Sequence, residues 1–380
     1  MPDALVFALE EPQDRRFMQA AIRYAMRHVG RTGTNPSVAT LIVRDDGDGR
    51  WPRIVGRGVT ALGGRPHAET VALAEAGELA RGATAYVTLE PCAHHGRTPP
   101  CSEALVRAGV ARVVSAAADP DPRVDGKGHR MLIEGGVAVT PGVLAAEAAR
   151  TIDGYLTRHR RGRPGITMKM ALSRDGKIGV RGGGQVKITG PVSNAQTHLV
   201  RARHGAIVVG AGTVLEDDPR LDCRLPGMAD RSPARIILDP NLRISPQMTV
   251  AQTARAVPTM VAAFEDADPA RRAELAAAGV AFVACVADPD SGRVALPELL
   301  EDLAATGFTS LLVEGGAEIA ASFLSAGLVD RLILIEGAIE IGEAGVAAPV
   351  DIATARERYQ LLRQDVFGGD RWFEFACEGA

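Results

Sequence analysis

No apolar run in this 380-residue sequence approaches the twenty or so residues of a membrane-spanning helix, which excludes that class of membrane protein. Net positive charge is also missing. At a formal charge of -3, no domain-wide basic field exists to neutralise phosphates, and with aromatics at 4% there is little to build a platform for stacked bases, so no nucleic-acid partner is expected, although local basic clusters remain. Cysteine is sparse and odd in number. Five residues, Cys92, Cys101, Cys223, Cys285 and Cys377, make no disulfide framework and fit a reducing compartment. The start, Met1-Pro2-Asp3-Ala4, lacks a basic stretch followed by an apolar core, so a cytoplasmic protein is expected. A Walker sequence, internal repeats and low-complexity tracts are absent as well.

What is there is a chain long enough for two or three domains, 46% hydrophobic and 23% charged, hence globular. Its densest chemistry runs from Pro66-His67-Ala68-Glu69 to Pro91-Cys92 and Pro99-Pro100-Cys101. An imidazole and two thiolates form a ligand set that zinc accepts, and three protein ligands leave a fourth tetrahedral position open for water, the mark of a catalytic site. Glu69 is then placed as the general acid and base that carries a proton from water to a leaving amine. Zinc deaminases of nucleobases carry a related His-x-Glu and Pro-Cys-x-x-Cys pattern. Here eight residues, not two, separate Cys92 from Cys101.

Local signals support the set. Pro66 and the apolar Val71, Leu73 and Ala74 place His67 and Glu69 in the first turn of a helix, and Pro99-Pro100-Cys101 reads as another helix start, where a thiol is easily ionised.

Around it, helical spacing predicts a helix over 14–29 capped by Asp14, strands over 38–43 and 54–59, and a strand over 85–89 that delivers Cys92. Helices over 102–108 and 127–134 alternate with strands over 112–117 and 137–140, and a last helix is expected over 143–156. Strand and helix in alternation mean an α/β sheet with helices on its faces. The basic run Arg158-His159-Arg160-Arg161-Gly162-Arg163-Pro164-Gly165 reads as a solvated linker, with a nucleic-acid contact the less favoured alternative. The predicted domains are therefore 1–157, a linker 158–165, and 166–380.

The second half restarts as α/β, with strands from 166–172 onward and helices over 192–202, 270–278, 296–305 and 317–326. Val313-Glu314-Gly315-Gly316 before a helix could open a phosphate site or only a tight turn, and Gly210-Ala211-Gly212 is a weaker case. Glu216 to Arg224 is expected in a loop, where its arginines and carboxylates either pair at the surface or grip hydroxyls and a phosphate.

Together the two halves resemble the bifunctional pyrimidine deaminase and uracil reductase family of riboflavin biosynthesis. The resemblance rests on Asn35-Pro36-Ser37-Val38, His67-Ala68-Glu69, the stretch from Glu90 to Cys101 with its Gly96-Arg97-Thr98-Pro99-Pro100-Cys101, Asp119-Pro120-Asp121-Pro122, Asp175-Gly176-Lys177, Thr213 to Pro219, and Val313 to Gly316. It implies a cytidine-deaminase-like three-layer domain followed by a dihydrofolate-reductase-like α/β domain, one Zn2+ per chain and NADPH. The implied substrate is a phosphorylated pyrimidine, 2,5-diamino-6-(5-phosphoribosylamino)pyrimidin-4(3H)-one, deaminated first and then reduced from ribosyl to ribityl. A homo-oligomer is expected.

By position, the resemblance gives Asn35, His94 and Arg97 to the deaminase substrate. It gives Ala171, Lys187, Thr213, Asp217, Gly315 and Gly316 to the cofactor, and Gln185, Arg201, Leu221, Arg224 and Glu314 to the reductase substrate. The chain departs from the family pattern at Thr60, where a histidine is expected, and at Ala39, where glycine is. Lys187 stands for a tryptophan, Gln185 for a serine and Arg174 for a leucine. The alternatives are a second half that reduces another substrate, or one that only binds or oligomerises.

Overall fold

The computed structural model describes residues 12–96 and 98–377, so Arg97 lies outside the described residues. The chain divides into two compact units, Met1–Arg161 and Gly162–Ala380.

The first unit runs α1 (Pro12–Ala25), β1 (Ala39–Arg44), β2 (Arg53–Val59), α2 (Ala68–Ala76), β3 (Thr84–Leu89), α3 (Cys101–Ala108), β4 (Arg112–Ala117), α4 (Lys127–Glu134), β5 (Ala138–Thr140), α5 (Ala145–Ala149) and α6 (Asp153–Arg161). Its five-stranded sheet has the order β2-β1-β3-β4-β5, antiparallel around β1 and parallel from β3 to β5. Parallel strands need crossover helices, and α3 and α4 supply them.

The packing of α2 depends on two glycines. Ala68, Ala72 and Ala76 form one buried stripe at helical spacing. Opposite them on β2, a Cβ at Gly56 would come 2.3 Å from the Ala72 carbonyl oxygen, and one at Gly58 2.0 Å from that of Ala68. Only glycine lets the helix backbone settle this close to the strand.

Three local expectations are corrected. Asp14 sits inside α1 and is buried; its carboxylate caps nothing but accepts from the Tyr86 hydroxyl at 2.8 Å and from Arg112 at 2.7 and 3.1 Å. The single helix expected over 143–156 is two helices. The basic run expected as a linker is helical through Arg161, because Tyr155 and Leu156 bury the start of α6 against the first unit.

The second unit contains β6 (Gly165–Leu172), β7 (Lys177–Val180), α7 (Pro191–Arg201), β8 (Ala206–Gly210), α8 (Ala211–Asp217), β9 (Ala234–Leu238), α9 (Thr249–Gln252), β10 (Thr259–Ala263), α10 (Pro269–Ala278) and β11 (Ala281–Ala284). It closes with α11 (Leu296–Ala305), β12 (Ser310–Val313), α12 (Ala317–Ser325), β13 (Arg331–Glu336), β14 (Gly345–Ala347), α13 (Ile352–Arg358), β15 (Gln360–Phe367) and β16 (Asp370–Ala376). Nine strands form one sheet, β11-β10-β9-β8-β12-β6-β13-β16-β15, parallel from β11 to β13 and antiparallel beyond; β7 and β14 pair separately.

The central strand β8 explains the apolar run in the sequence. Ala206 and Val208 enter the core on one face, Ile207 and Val209 the core on the other. Glu216 and Asp217, expected in a loop, complete α8 instead. Chain order breaks where β12 inserts between β8 and β6, and the carboxyl ends of strands at such a switch point are where open α/β sheets bind ligands.

Candidate functional sites

In the first unit three elements converge. His67 immediately precedes α2, Cys92 follows β3, and Cys101 opens α3. His67 Nδ1 lies 3.7 Å from Cys92 Sγ and 3.4 Å from Cys101 Sγ, and all three donor atoms lie within 4.8 Å of one another. Zinc bonds of about 2.3 Å to sulfur and about 2.0 to 2.1 Å to nitrogen at a tetrahedral centre would set that sulfur–nitrogen separation near 3.6 Å. The donors therefore fit zinc by spacing as well as by type.

Backbone contacts hold them. The Cys101 amide donates to Cys92 Sγ at 3.3 Å, and the Ser102 hydroxyl donates to the carbonyls of Pro91 and Cys92. Glu90 anchors the same segment from behind, accepting from the amides of Gly126, Gly128 and His129. A Cβ at Gly128 would lie 2.0 Å from the Pro91 carbonyl oxygen, so α4 can approach only with glycine there.

The hydrogen bond from Cys101, joined by His67, holds the Cys92 thiol down to about 4, and the same contact pushes Cys101 up. Glu69 is 4% exposed, and burial followed by the charge of Cys92 pushes its carboxyl up. A carboxyl poised in this way, beside donors suited to a metal, is equipped to move protons.

The cavity of about 290 Å³ in front of this cluster is lined by Asn35, Thr60, His94 and Asp119, together with His67, Glu69 and Cys92. Asn35 is fixed by donating to the Gly64 carbonyl at 2.8 Å, and the buried Thr60 hydroxyl accepts from the Val38 amide at 3.0 Å. Sequence reasoning missed the far wall of this cavity: Asp121, Arg123, Tyr155, Arg158 and His159.

In the second unit a larger cleft, about 990 Å³, opens at the carboxyl ends of β6, β8, β9 and β12. Ala171, Gln185, Lys187, Thr213, Asp217, Leu221 and Arg224 all line it, as do Arg201, Glu314, Gly315 and Gly316. The Gly316 amide donates to Thr213 Oγ1 at 3.3 Å, tying the two glycine junctions together. At Gly315 a Cβ would press on Ile319, 2.8 Å away, so the turn into α12 stays narrow.

Glu314 lies at the base of the cleft, 8% exposed. Arg201 donates to both its oxygens and Lys169 Nζ stands 3.5 Å away. Burial alone would raise its carboxyl, but Arg201 and then Lys169 hold it at about 2. The Arg201 fork is thus already engaged, and its Nη1 donates to the Asp222 carbonyl. Arg224 is held only at one side by Asp222 and is 48% exposed, which leaves it the freer cation for a phosphate. The cleft further holds Arg243, just past β9, and Arg293, neither of which had a sequence signal beyond its charge.

With both sites described, comparison with known proteins becomes decisive. The model of the RibD C-terminal domain matches residues 164–368, and that of the cytidine and deoxycytidylate deaminase zinc-binding region matches residues 11–117. The riboflavin biosynthesis protein RibD of Bacillus amyloliquefaciens is 39% identical over 333 residues, 88% of this chain and 86% of that protein. The chain belongs to the RibD family.

Solved structures agree. Acinetobacter baumannii RibD superposes with a TM-score of 0.81 at 35% identity, covering 96% of this chain and 98% of that one. A diaminohydroxyphosphoribosylaminopyrimidine deaminase/5-amino-6-(5-phosphoribosylamino)uracil reductase from Thermotoga maritima gives 0.81 at 30% identity, with the same coverage. The expected fold class, an α/β chain with a cytidine-deaminase-like domain followed by a reductase-type α/β domain, is borne out, the second domain matching the RibD C-terminal domain. As a RibD enzyme the chain requires zinc for its deaminase half and NADPH for its reductase half.

Proposed function

We propose that this chain performs both steps of RibD chemistry on one phosphorylated pyrimidine, with deamination in the unit Met1–Arg161 and reduction in the unit Gly162–Ala380. The observation that carries this reading is that each unit has its own complete site: a donor cluster with a buried carboxyl in one, a glycine-walled cleft with an ion-paired carboxylate in the other.

In the deaminase, His67, Cys92 and Cys101 would hold the metal. Zinc supplies activation of water at neutral pH. Asn35 and His94 orient the pyrimidine. Glu69 accepts a proton from the attacking water and delivers it to the departing amine nitrogen, so that carbon exchanges an amino group for oxygen and ammonia leaves. Burial of the Glu69 carboxyl raises its affinity for the proton it must carry.

In the reductase, the Gly315–Gly316 turn at the start of α12, with Thr213 and Asp217, would hold the cofactor. NADPH supplies the hydride. Ala171 and Lys187, which line the same cleft, would also hold the cofactor, Lys187 with a cation where the family pattern has an indole. Gln185, Leu221 and Arg224 face the substrate, with Arg224 on its phosphate. Glu314 is kept ionised by Arg201 and Lys169 and presents an acceptor to the sugar hydroxyls. A match to the reductase domain spanning 164–368 favours a catalytic second half over a module that only binds.

The purified protein, incubated with the diaminopyrimidine and analysed by mass spectrometry, should yield the deaminated product without NADPH and the ribityl product with it. Conversion by neither route would remove the reading; NADPH-independent conversion alone would confine it to the first unit.

A further inference from the structure

The wall of the deaminase cavity that sequence reasoning missed carries Arg123, Arg158 and His159 beside Asp121, and it is built. Three of its side chains, Tyr155, Arg158 and His159, come from α6, the helix made by the run that reads as a linker. The Tyr155 hydroxyl donates to Asp119 Oδ1 at 2.9 Å, and both groups are buried. One turn on, the His159 ring packs on the Tyr155 ring with centroids 4.4 Å apart. The helix is therefore pinned to the turn Asp119–Asp121, and this places Arg158 and His159 at the cavity while Arg160 and Arg161 face solvent.

Arg123 completes the wall from the other side. Its Nε and Nη2 donate to Asp121, which is itself buried and fixed by the Arg123 amide. Nη1 has no hydrogen-bond partner among the described residues, and the side chain is 65% exposed. Cys101 and Glu69 are buried, His67 and Cys92 half-buried, and Arg123 is open, so the cavity runs from a rim at Arg123 to the reacting end. A substrate whose pyrimidine reaches the metal donors must leave its phosphoribosyl end at that rim. Arg guanidinium and imidazole N–H groups are suited to phosphate oxygens.

We infer that Arg123, Arg158 and His159 form the wall of a phosphate subsite in the deaminase, so that α6 is a specificity element of the first reaction and not a spacer. This rests on the deaminase reading above. Phosphate bound there would discriminate the nucleotide from its dephosphorylated form before any chemistry occurs.

The test measures deaminase KM and kcat on the full chain without NADPH, for the phosphorylated diaminopyrimidine and its phosphatase-treated form, with ribose 5-phosphate as inhibitor. Arg123→Gln and His159→Phe are the variants; the second keeps the aromatic contact with Tyr155 and loses only the N–H donor. Each should raise KM for the phosphorylated substrate and the inhibition constant of ribose 5-phosphate about ten- to a hundredfold, with kcat held, as expected for loss of one charge-assisted contact. Arg123→Lys should fall between wild type and Arg123→Gln. NADPH-dependent reduction of the deaminated compound by the same variants verifies that they fold. A wild type that prefers the phosphorylated substrate, with both variants keeping that preference, would overturn the inference and leave the deaminase intact. A wild type without any preference would overturn it as well, whereas a wild type that deaminates neither form would instead sink the functional reading beneath it.

Discussion

Glu314 and Arg201 meet through two parallel hydrogen bonds, Nε to Oε1 at 2.9 Å and Nη2 to Oε2 at 2.8 Å, joining the end of β12 to the last turn of α7. The pair is 8% and 13% exposed, so neither charge can be left alone cheaply. Glu314→Gln should destabilise the second unit by about 3 to 5 kcal/mol, because Arg201 then stays buried without its partner. Denaturant unfolding of the variant and of Glu314→Gln/Arg201→Met checks this; the double variant should recover part of the loss.

The same pair sets an acid limit. A carboxyl held at about 2 in the folded chain against an ordinary value of 4.5 favours the folded state only while ionised. Its contribution is complete above about pH 4.5 and is lost as pH falls toward 2. Unfolding free energy measured across that window should fall more steeply for wild type than for Glu314→Gln, and parallel curves would contradict the assignment.

Metal retention separates the first unit's ligands from its proton carrier. Cys101→Ser should purify with little zinc, since one of three protein ligands is weakened. Glu69→Gln should keep zinc and lose deamination by about a hundredfold or more. Metal analysis beside turnover distinguishes the two; full zinc in Cys101→Ser would take that residue out of the ligand set.

A substitution at an uncharged position that supplies no ligand should also empty the metal site. Gly58→Val places a Cβ 2.0 Å from the Ala68 carbonyl, one residue beyond His67. The helix must shift, at a cost of about 1 to 3 kcal/mol, and carry His67 and Glu69 with it. The melting temperature and the zinc content should drop together. Gly179 in β7, with nothing within 4 Å of a Cβ and no positive φ, is the control.

The donor cluster was legible because a catalytic metal site demands particular residue types at particular helix starts, and His67, Cys92 and Cys101, which the fold brings together, announce themselves in sequence. Gly56 and Gly58 were not, since a glycine needed for close approach looks like any other until the helix opposite is known. The α6 wall was hidden for a different reason: Arg158 to Arg161 reads as solvated charge unless Tyr155 is seen bonded to Asp119, 36 residues away. In the second unit the glycine junctions were readable. The hairpin of β15 and β16, whose Gly368 and Gly369 both take positive φ as a two-residue turn requires, went unread because its strands alternate only weakly. The resemblance gave Arg201 to the reductase substrate, and sequence could not show that Glu314, 113 residues on, already holds its guanidinium fork.

The central claim is that two independent chemistries reside in two sites of one chain, and Glu69→Gln tests it most directly. Given the diaminopyrimidine, the variant should leave it unconverted with or without NADPH; given the deaminated compound, it should consume NADPH and form the ribityl product at the wild-type rate. Loss of both reactions, or retention of both, would contradict the account.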